Sequence, residues 1–520
     1  MSDRNIDFKR NIYETPSTAH KKEKIKMQKL YISTRNKKIA HTPKEAILKG
    51  IAEDGGLFVN DWITECKLPL EEMLSMTYEE MAETVLQLLL PDFTEKEVKK
   101  CVKDAYENKF NSKEITSLSI FDGFSVLELF HGPTCAFKDV GLRMLPQLMR
   151  TSLQNQQENV MILTATSGDT GKAALEGFLD VDQTGIMVFY PKNGVSDIQE
   201  MQMITTKGKN TCVCSIDGNF DDAQSVVKQI FQDQEINGTL KKEKIILSSA
   251  NSINIGRLIP QIVYYVYAYI KMVKANKIQF MDKINFCVPT GNFGNVLAGY
   301  YAKMMGLPVH RFIVASNANN VLYDFLNTGI YDRNREFYKT VSPSMDILIS
   351  SNLERLLYFK SGKDSSYITS LMKELDKNGK YKVSDDIYSS IKEDFVGGYC
   401  SDEECISMIQ EVYQRYGYVM DPHTAVGYKV LKEYQSVDDE YETVLLSTAS
   451  PYKFASVVYK AIYGIEEENE FTCMKQLEEK TGLKIPSSLN NLPDLEIRHT
   501  SHVKKEEMKG FVIEKGKSLF

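Results

Sequence analysis

Residues 284–295 read Ile-Asn-Phe-Cys-Val-Pro-Thr-Gly-Asn-Phe-Gly-Asn: a short apolar run, a turn carrying Gly291 and Gly294, and a residue suited to open a helix. Helical periodicity follows as far as Gly306, and a second apolar run occupies residues 312–315. Strand, glycine loop, helix and strand make one βαβ unit, whose strands are parallel and whose crossover is right-handed. The same order recurs along the chain. Runs at 160–163, 185–189, 211–216, 244–247 and 444–447 each enter a loop of Gly, Ser, Asn, Asp or Pro, and each loop opens a helix-period segment: 172–178, from near Ser196, from about Asp221, the tyrosine-rich stretch at 258–270, and a last apolar helix after Pro451. This alternation predicts an α/β protein of doubly wound sheets in two lobes. Ligands of such sheets collect where strand C-termini meet helix N-termini, because free N–H groups and helix dipoles converge there.

Segments that break the pattern suggest boundaries. Residues 1–29 mix lysines with Asp3, Asp7, Glu14 and Glu23, lack the apolar core of a signal peptide, and read as a disordered leader. Residues 30–115 form a mainly helical N-terminal domain, with helical runs at 77–90 and 94–108. The α/β region spans 116–465, interrupted at about 360–416 by an insertion of mixed charge that reads as helical rather than as a sheet element, and 466–520 form a C-terminal extension. A chain of 520 residues is expected to divide into roughly two to four domains.

Composition excludes several classes of function. A hydrophobic fraction of 42% and a charged fraction of 26% are those of a soluble globular protein. The net charge of −7 provides no basic field, so nucleic acid is not an expected partner. The apolar stretch at 258–270 is broken by Pro260 and Gln261 and reads as a buried helix, not a membrane span. Nine cysteines without a Cys-x-x-Cys pair read as thiols of a reducing compartment, by default the cytoplasm. Seven histidines without His-Glu-x-x-His, and Cys212 and Cys214 alternating along a strand, give no metal site.

Three places carry chemistry. Gly291-Asn292-Phe293-Gly294-Asn295 could turn consecutive amides toward a phosphate, or could be a tight strand-to-helix connection with an Asn cap. Ser167-Gly168-Asp169-Thr170-Gly171 is followed by Lys172 but is not a P-loop, since Thr166 stands where a glycine is needed and Ala173 where a magnesium-binding hydroxyl is needed. Its hydroxyls and amides at a helix start suit a carboxylate. Lys138 follows Ala136 and Phe137, so it is either a half-buried amine with a lowered pKa or a snorkelling lysine at a helix start. His131 and His423 are either substrate contacts or hydrogen-bonded structural side chains.

Taken in order, these motifs resemble the threonine synthases, pyridoxal-phosphate enzymes of fold type II, the tryptophan-synthase β-subunit superfamily. The resemblance rests on Tyr31 to Arg35, Glu53 to Val59, His131-Gly132-Pro133-Thr134 with Phe137-Lys138-Asp139, Ala165 to Gly171, Tyr190-Pro191-Lys192 with Val195-Ser196, Asn251 to Asn254 with Arg257, Gly291 to Asn295, Ser351 to Arg355, and Asp421 to Gly427. It implies covalent attachment of pyridoxal phosphate at Lys138, its phosphate on Gly291, Asn292, Phe293, Gly294 and Asn295, and its pyridine nitrogen on the Thr448 hydroxyl. Ser167, Gly168, Asp169 and Thr170 would take a substrate α-carboxylate. Asn254 and Arg257 would take a substrate phosphate, the alternative for Arg257 being a helix-surface ion pair.

The implied activity is that of a carbon–oxygen lyase acting on a phosphate. O-phospho-L-homoserine would lose phosphate by γ-elimination and gain water at the β-carbon to give threonine, the last step of threonine biosynthesis. The nearest alternative is a phospholyase releasing 2-oxobutyrate, and the expected assembly is a monomer or homodimer. Cys135, Lys172, Ser450, Tyr452 and Asn60 depart from the family's usual residues, with Lys172 expected to add charge near the carboxylate loop.

Overall fold

Parallel strands at the centre of each lobe set the architecture. The computed structural model describes residues 29–520 other than Lys113, Asn155 and Ser167, and of Asp221 the backbone alone. The leader expected at residues 1–29 therefore lies, but for Lys29, outside the described residues, as does the substrate role expected of Ser167.

One sheet has five parallel strands in the order Ser501–Lys504, Thr211–Asp217, Thr184–Pro191, Asn159–Ala165 and Ile245–Ser248. The other has six, in the order Phe395–Tyr399, Val309–Ser316, Ile284–Pro289, Thr443–Ser447, Ser125–Glu128 and Ser117–Ile120, parallel except for the last. Thr184–Pro191 and Ile284–Pro289 are buried along their whole length. Strands covered on both faces are apolar at nearly every position, here broken only by Thr184 and Asn285, which is why these two read as apolar runs.

The stretch that looked most like a membrane span is the 20-residue helix Ile255–Lys274, buried along most of its length. No helix among the described residues is long and apolar enough to cross a membrane. It packs on Tyr78–Leu89, Lys138–Ser152 and Gly294–Met304. Two of its tyrosines bury their rings and direct their hydroxyls at one acceptor: Tyr264 and Tyr265 donate to Asn295 Oδ1 at 2.6 and 2.9 Å. A buried tyrosine needs such a partner, and here the partner stands on the glycine loop after Ile284–Pro289.

The N-terminal part joins the rest through buried charge. Arg35 makes a bidentate pair with Glu354 at 3.0 and 2.9 Å, and Thr34 donates to the same carboxylate. Arg355, wholly buried, donates to the carbonyls of Phe58 and Ile253 and to Asn352 Oδ1. Two motifs 320 residues apart are thus one cluster.

Two expectations need correction. The stretch at 360–416 is not purely helical: Phe395–Tyr399 pairs with Val309–Ser316 and extends the six-stranded sheet. Its Phe-Val-Gly-Gly-Tyr sequence hides a strand because glycine lowers strand propensity. A Cβ on Gly398 would collide with the Val430 side chain, so the helix Pro422–Gln435 can lie this close only over glycine. The apolar helix Ala455–Tyr463 is not the last, and the tail returns to give the first five-stranded sheet its edge strand Ser501–Lys504 and the helix Met508–Gly516.

Gly398→Val is expected to destabilise the protein by about 1–3 kcal/mol, the usual cost of overpacking. The measurement is a urea midpoint lowered at unchanged slope. Gly510→Ala is the control: an added Cβ there meets nothing within 4 Å inside a helix, and the midpoint should hold or rise.

Candidate active site

Lys138 begins the helix Lys138–Ser152, and the turn before it is closed by the next residue. Asp139 is fully buried and accepts from the Thr134 amide at 2.9 Å and the Thr134 hydroxyl at 2.7 Å. The turn is also laced to the loop after Thr443–Ser447: Leu129 N–H donates to Ser447 O, Phe137 N–H to Thr448 O at 2.8 Å, and Ser450 N–H to Cys135 O. Thr448 therefore sits against the lysine-bearing segment. The ladder uses its carbonyl and leaves its hydroxyl for other work.

The Lys138 side chain is 10% exposed. Its amine donates to Ser344 Oγ at 3.2 Å and stands 3.7 Å from Asp169 Oδ2. Ser344 Oγ in turn donates to Asp169 Oδ2 at 3.1 Å, so the hydroxyl bridges amine and carboxylate. Asp169 Oδ1 is held by Lys453 Nζ at 2.6 Å and by Gln199 Nε2 at 3.0 Å. Gln199 is also the capping-box residue for Ser196, which explains why the Pro191 to Ser196 motif belongs to this site. Lys453 is 0% exposed and also donates to Thr134 O at 3.0 Å.

These neighbours set the protonation states. Burial pulls the Lys138 amine down to about 8, Asp169 opposes that shift, and the positive charges of Arg257 and Lys453 add to it. Burial alone would raise the Asp169 carboxyl, but the ammonium groups of Lys453 and Lys138 hold it well below the ordinary carboxylate range. Burial raises Asp139 to about 6, against its hydrogen bonds from Thr134.

Anion-binding features surround the amine. Phe293 takes a left-handed φ of 61°, and Gly294 starts the helix Gly294–Met304 without a side-chain cap. The amides from Gly291 to Asn295 have no backbone acceptor among the described residues. The loop is braced from behind: Ser350 Oγ donates to Gly291 O, Asn352 donates twice to Asn292 O, and Tyr265 to Asn295 O. A Cβ on Gly291 would stand 2.9 Å from Ser344 O, so the cradle and the Lys138 amine share the Ser344 turn as a wall. Asn295 Nδ2 is buried without a partner. Arg257 is 4% exposed, gives one nitrogen to Ala250 O at 2.9 Å, forms no ion pair among the described residues, and is pushed by burial to about 10.

Several sequence expectations change place. Asn254 caps the helix Ile255–Lys274: its Oδ1 accepts from Gly256 N–H and its Nδ2 donates to Ile47 O and Ser249 O, which leaves nothing for a substrate phosphate. Gly168 turns at φ 129°, and its amide is taken by Thr166 Oγ1. The Asp169 carboxylate pairs with the lysines and would repel a substrate carboxylate. What remains for an anion in that loop is the helix start at Asp169 and Thr170, which has no side-chain cap. Lys172 turns away to Glu176 and Thr206 rather than charging the loop.

His423 proves to be framework. Its Nε2 accepts the Ser344 amide at 3.1 Å, so its Nδ1 carries the hydrogen given to Asp421 at 2.8 Å. His131 stands 2.9 Å from Glu128 Oε2 and 2.8 Å from Ser117 Oγ. Sequence reasoning missed Ser344, which carries no local signal, and Lys453, whose one sign was its position between Tyr452 and Phe454.

Comparison with known proteins accords with this arrangement. Residues 30–106 match the family described as threonine synthase N terminus, 123–449 that described as pyridoxal-phosphate dependent enzyme, and 424–509 that described as threonine synthase, C-terminal. The chain is 38% identical over 483 residues to threonine synthase-like 1 of Homo sapiens, across 89% of this chain and 62% of that protein, so it spans less than two thirds of that relative. It is 37% identical over 475 residues to threonine synthase of Schizosaccharomyces pombe, across 84% of this chain and 90% of that protein. The crystal structure of PLP-bound threonine synthase from Brucella melitensis superposes with a TM-score of 0.82 at 34% identity, covering 94% of this chain and 99% of that one. Coverage, order and fold agree, and the chain belongs to the threonine synthase family of pyridoxal-phosphate-dependent enzymes.

Proposed function

We propose that the protein converts O-phospho-L-homoserine and water to L-threonine and phosphate. The observation that carries this reading is Arg257, a buried guanidinium with no carboxylate partner among the described residues, close enough to Lys138 to lower its basicity. A buried unpaired cation is costly and is stabilised by an anion that arrives with a ligand. Together with the Gly291 to Asn295 loop it gives two anion sites around one amine. That number suits a phosphorylated cofactor and a phosphorylated substrate.

Pyridoxal phosphate fits the residues present. Its aldehyde would meet the Lys138 amine, its phosphate the Gly291 to Asn295 amides with the unpartnered Asn295 Nδ2, and its ring nitrogen the Thr448 hydroxyl. When bound, it supplies an electron sink for negative charge at the substrate Cα and Cβ. The chain supplies the rest. Arg257 would orient the leaving phosphate through its planar fork, and the helix start at Asp169 and Thr170 would hold the α-carboxylate. The Lys138 amine, its basicity lowered by burial, takes and returns protons at Cα, Cβ and Cγ. All nine cysteines are free, in keeping with a reducing cytoplasm.

Lys138→Ala is expected to lose the visible absorbance of attached cofactor and at least 10²–10⁴ of the rate, on the order expected for removing a general base. Assay of threonine, 2-oxobutyrate and phosphate from O-phosphohomoserine tests the reaction itself: phosphate released with 2-oxobutyrate and without threonine would replace this reading with a phospholyase. Arg257→Met is expected to raise KM for the phosphorylated substrate by roughly 10- to 100-fold, the loss of a charge-assisted hydrogen bond. Cofactor affinity should stay near the wild-type value, and a larger effect on cofactor binding than on KM would place Arg257 elsewhere in the site.

A further inference from the structure

One charged group of the site has no task in the proposed reaction. Lys453 is wholly buried, on the short turn Pro451–Phe454, and it touches neither the Gly291 to Asn295 cradle nor the Lys138 amine. Its ammonium has two partners among the described residues, Asp169 Oδ1 at 2.6 Å and Thr134 O at 3.0 Å. If its role were only to fill space, an apolar side chain of similar length would do so without the cost of burying a charge.

We propose that Lys453 is a positioning residue that acts through Asp169. By occupying one carboxylate oxygen, it prevents Asp169 from pairing tightly with Lys138 and so leaves the Lys138 amine available as nucleophile and base. The asymmetry of the distances supports this. Asp169 stands 2.6 Å from Lys453 but 3.7 Å from Lys138, and the Ser344 hydroxyl lies between Asp169 and Lys138. Gln199 holds the same Oδ1 that Lys453 holds, so the carboxylate is fixed on the Lys453 side.

Every charged group facing this pair enters the balance. Arg257, from the helix Ile255–Lys274, and Lys453 both repel a protonated Lys138. His423, from the helix Pro422–Gln435, faces the same cluster without a charge, since its Nε2 accepts the Ser344 amide. Asp139, from the lysine's own helix, faces Lys453 and Arg143, and Cys135 also feels the Lys453 charge. Removing the Lys453 charge abolishes one repulsion and frees Asp169 to turn to Lys138. Both effects favour the protonated amine, so its deprotonation moves to higher pH. Removing the Asp169 charge does the reverse, since the two remaining cations then act unopposed.

The inference rests on Lys138 being the cofactor lysine, but its test needs no substrate. Cofactor-free protein is mixed with pyridoxal phosphate across a pH series, trapped with borohydride, and labelling of Lys138 is followed by mass spectrometry. The wild-type midpoint is expected at about 8. Lys453→Met should shift it up by about one unit, Lys453→Arg should keep it, and Asp169→Asn should shift it down by about one unit, the size expected for a neighbouring charge at partial burial. A folded Lys453→Met protein with an unmoved midpoint would overturn the proposal, as would an unmoved or upward midpoint in Asp169→Asn. The second variant decides alone where the first does not fold. Absence of label on Lys138 at every pH would instead refute the proposed cofactor chemistry.

Discussion

Three cations, Lys138, Lys453 and Arg257, are gathered around the C-terminal ends of the strands, and Asp169 is the one carboxylate that pairs with any of them among the described residues. Buried charge of one sign in excess is the constraint on which the site depends. Burial lowers the basicity of the Lys138 amine and the neighbouring cations Arg257 and Lys453 add to that shift, while the ammonium groups of Lys453 and Lys138 hold Asp169 ionised; the unbalanced positive charge favours the protein with anions bound. An anionic cofactor and an anionic substrate both neutralise that excess. Anion binding and amine reactivity therefore depend on the same buried cluster.

The fold delivers these groups by tying separate strand ends together. The turn holding Lys138 is laced to the segment holding Thr448, and Ser447 just before it bonds the Thr424 hydroxyl, which donates to Asp421. Asp421 fixes His423, and His423 fixes the Ser344 amide. The residue set for the pyridine nitrogen and the hydroxyl beside Lys138 thus lie on one buried chain of hydrogen bonds. A group fully satisfied inside such a network cannot rotate without breaking several bonds, which is how a site on loops keeps the rigidity of a site on a sheet.

The sequence was informative where structure is local. Apolar runs located the buried strands, and glycine loops located the helix starts. It was silent where function depends on contacts between distant residues. Asn254 looked like a ligand because it stands near Arg257, yet it is consumed by the helix end it caps and by Ile47 from the N-terminal part. Ser344 meets Lys138 across 206 residues, and Lys453 meets Thr134 across 319. The strand Phe395–Tyr399 stayed hidden because its two glycines serve the close approach of two helices, Gly397 that of Val321–Thr328 and Gly398 that of Pro422–Gln435, rather than strand propensity.

The departures from the family's usual residues sort by the same logic. Lys172 points its charge at Glu176, so the carboxylate loop keeps its field. Tyr452 buries its ring and donates to Leu483 O, which fastens the turn carrying Lys453 to the C-terminal part of the chain. Cys135 adopts a left-handed φ of 61° and lies against Ser488 of the same C-terminal part. Ser450 caps that turn through Tyr452 N–H. Two of these four changes, Cys135 and Tyr452, therefore fall on the contact between the shell of the Lys138 turn and the C-terminal part, and Ser450 bonds both of them. They alter what supports Lys453 and Thr134 from behind and leave in place the groups that face the cofactor and substrate.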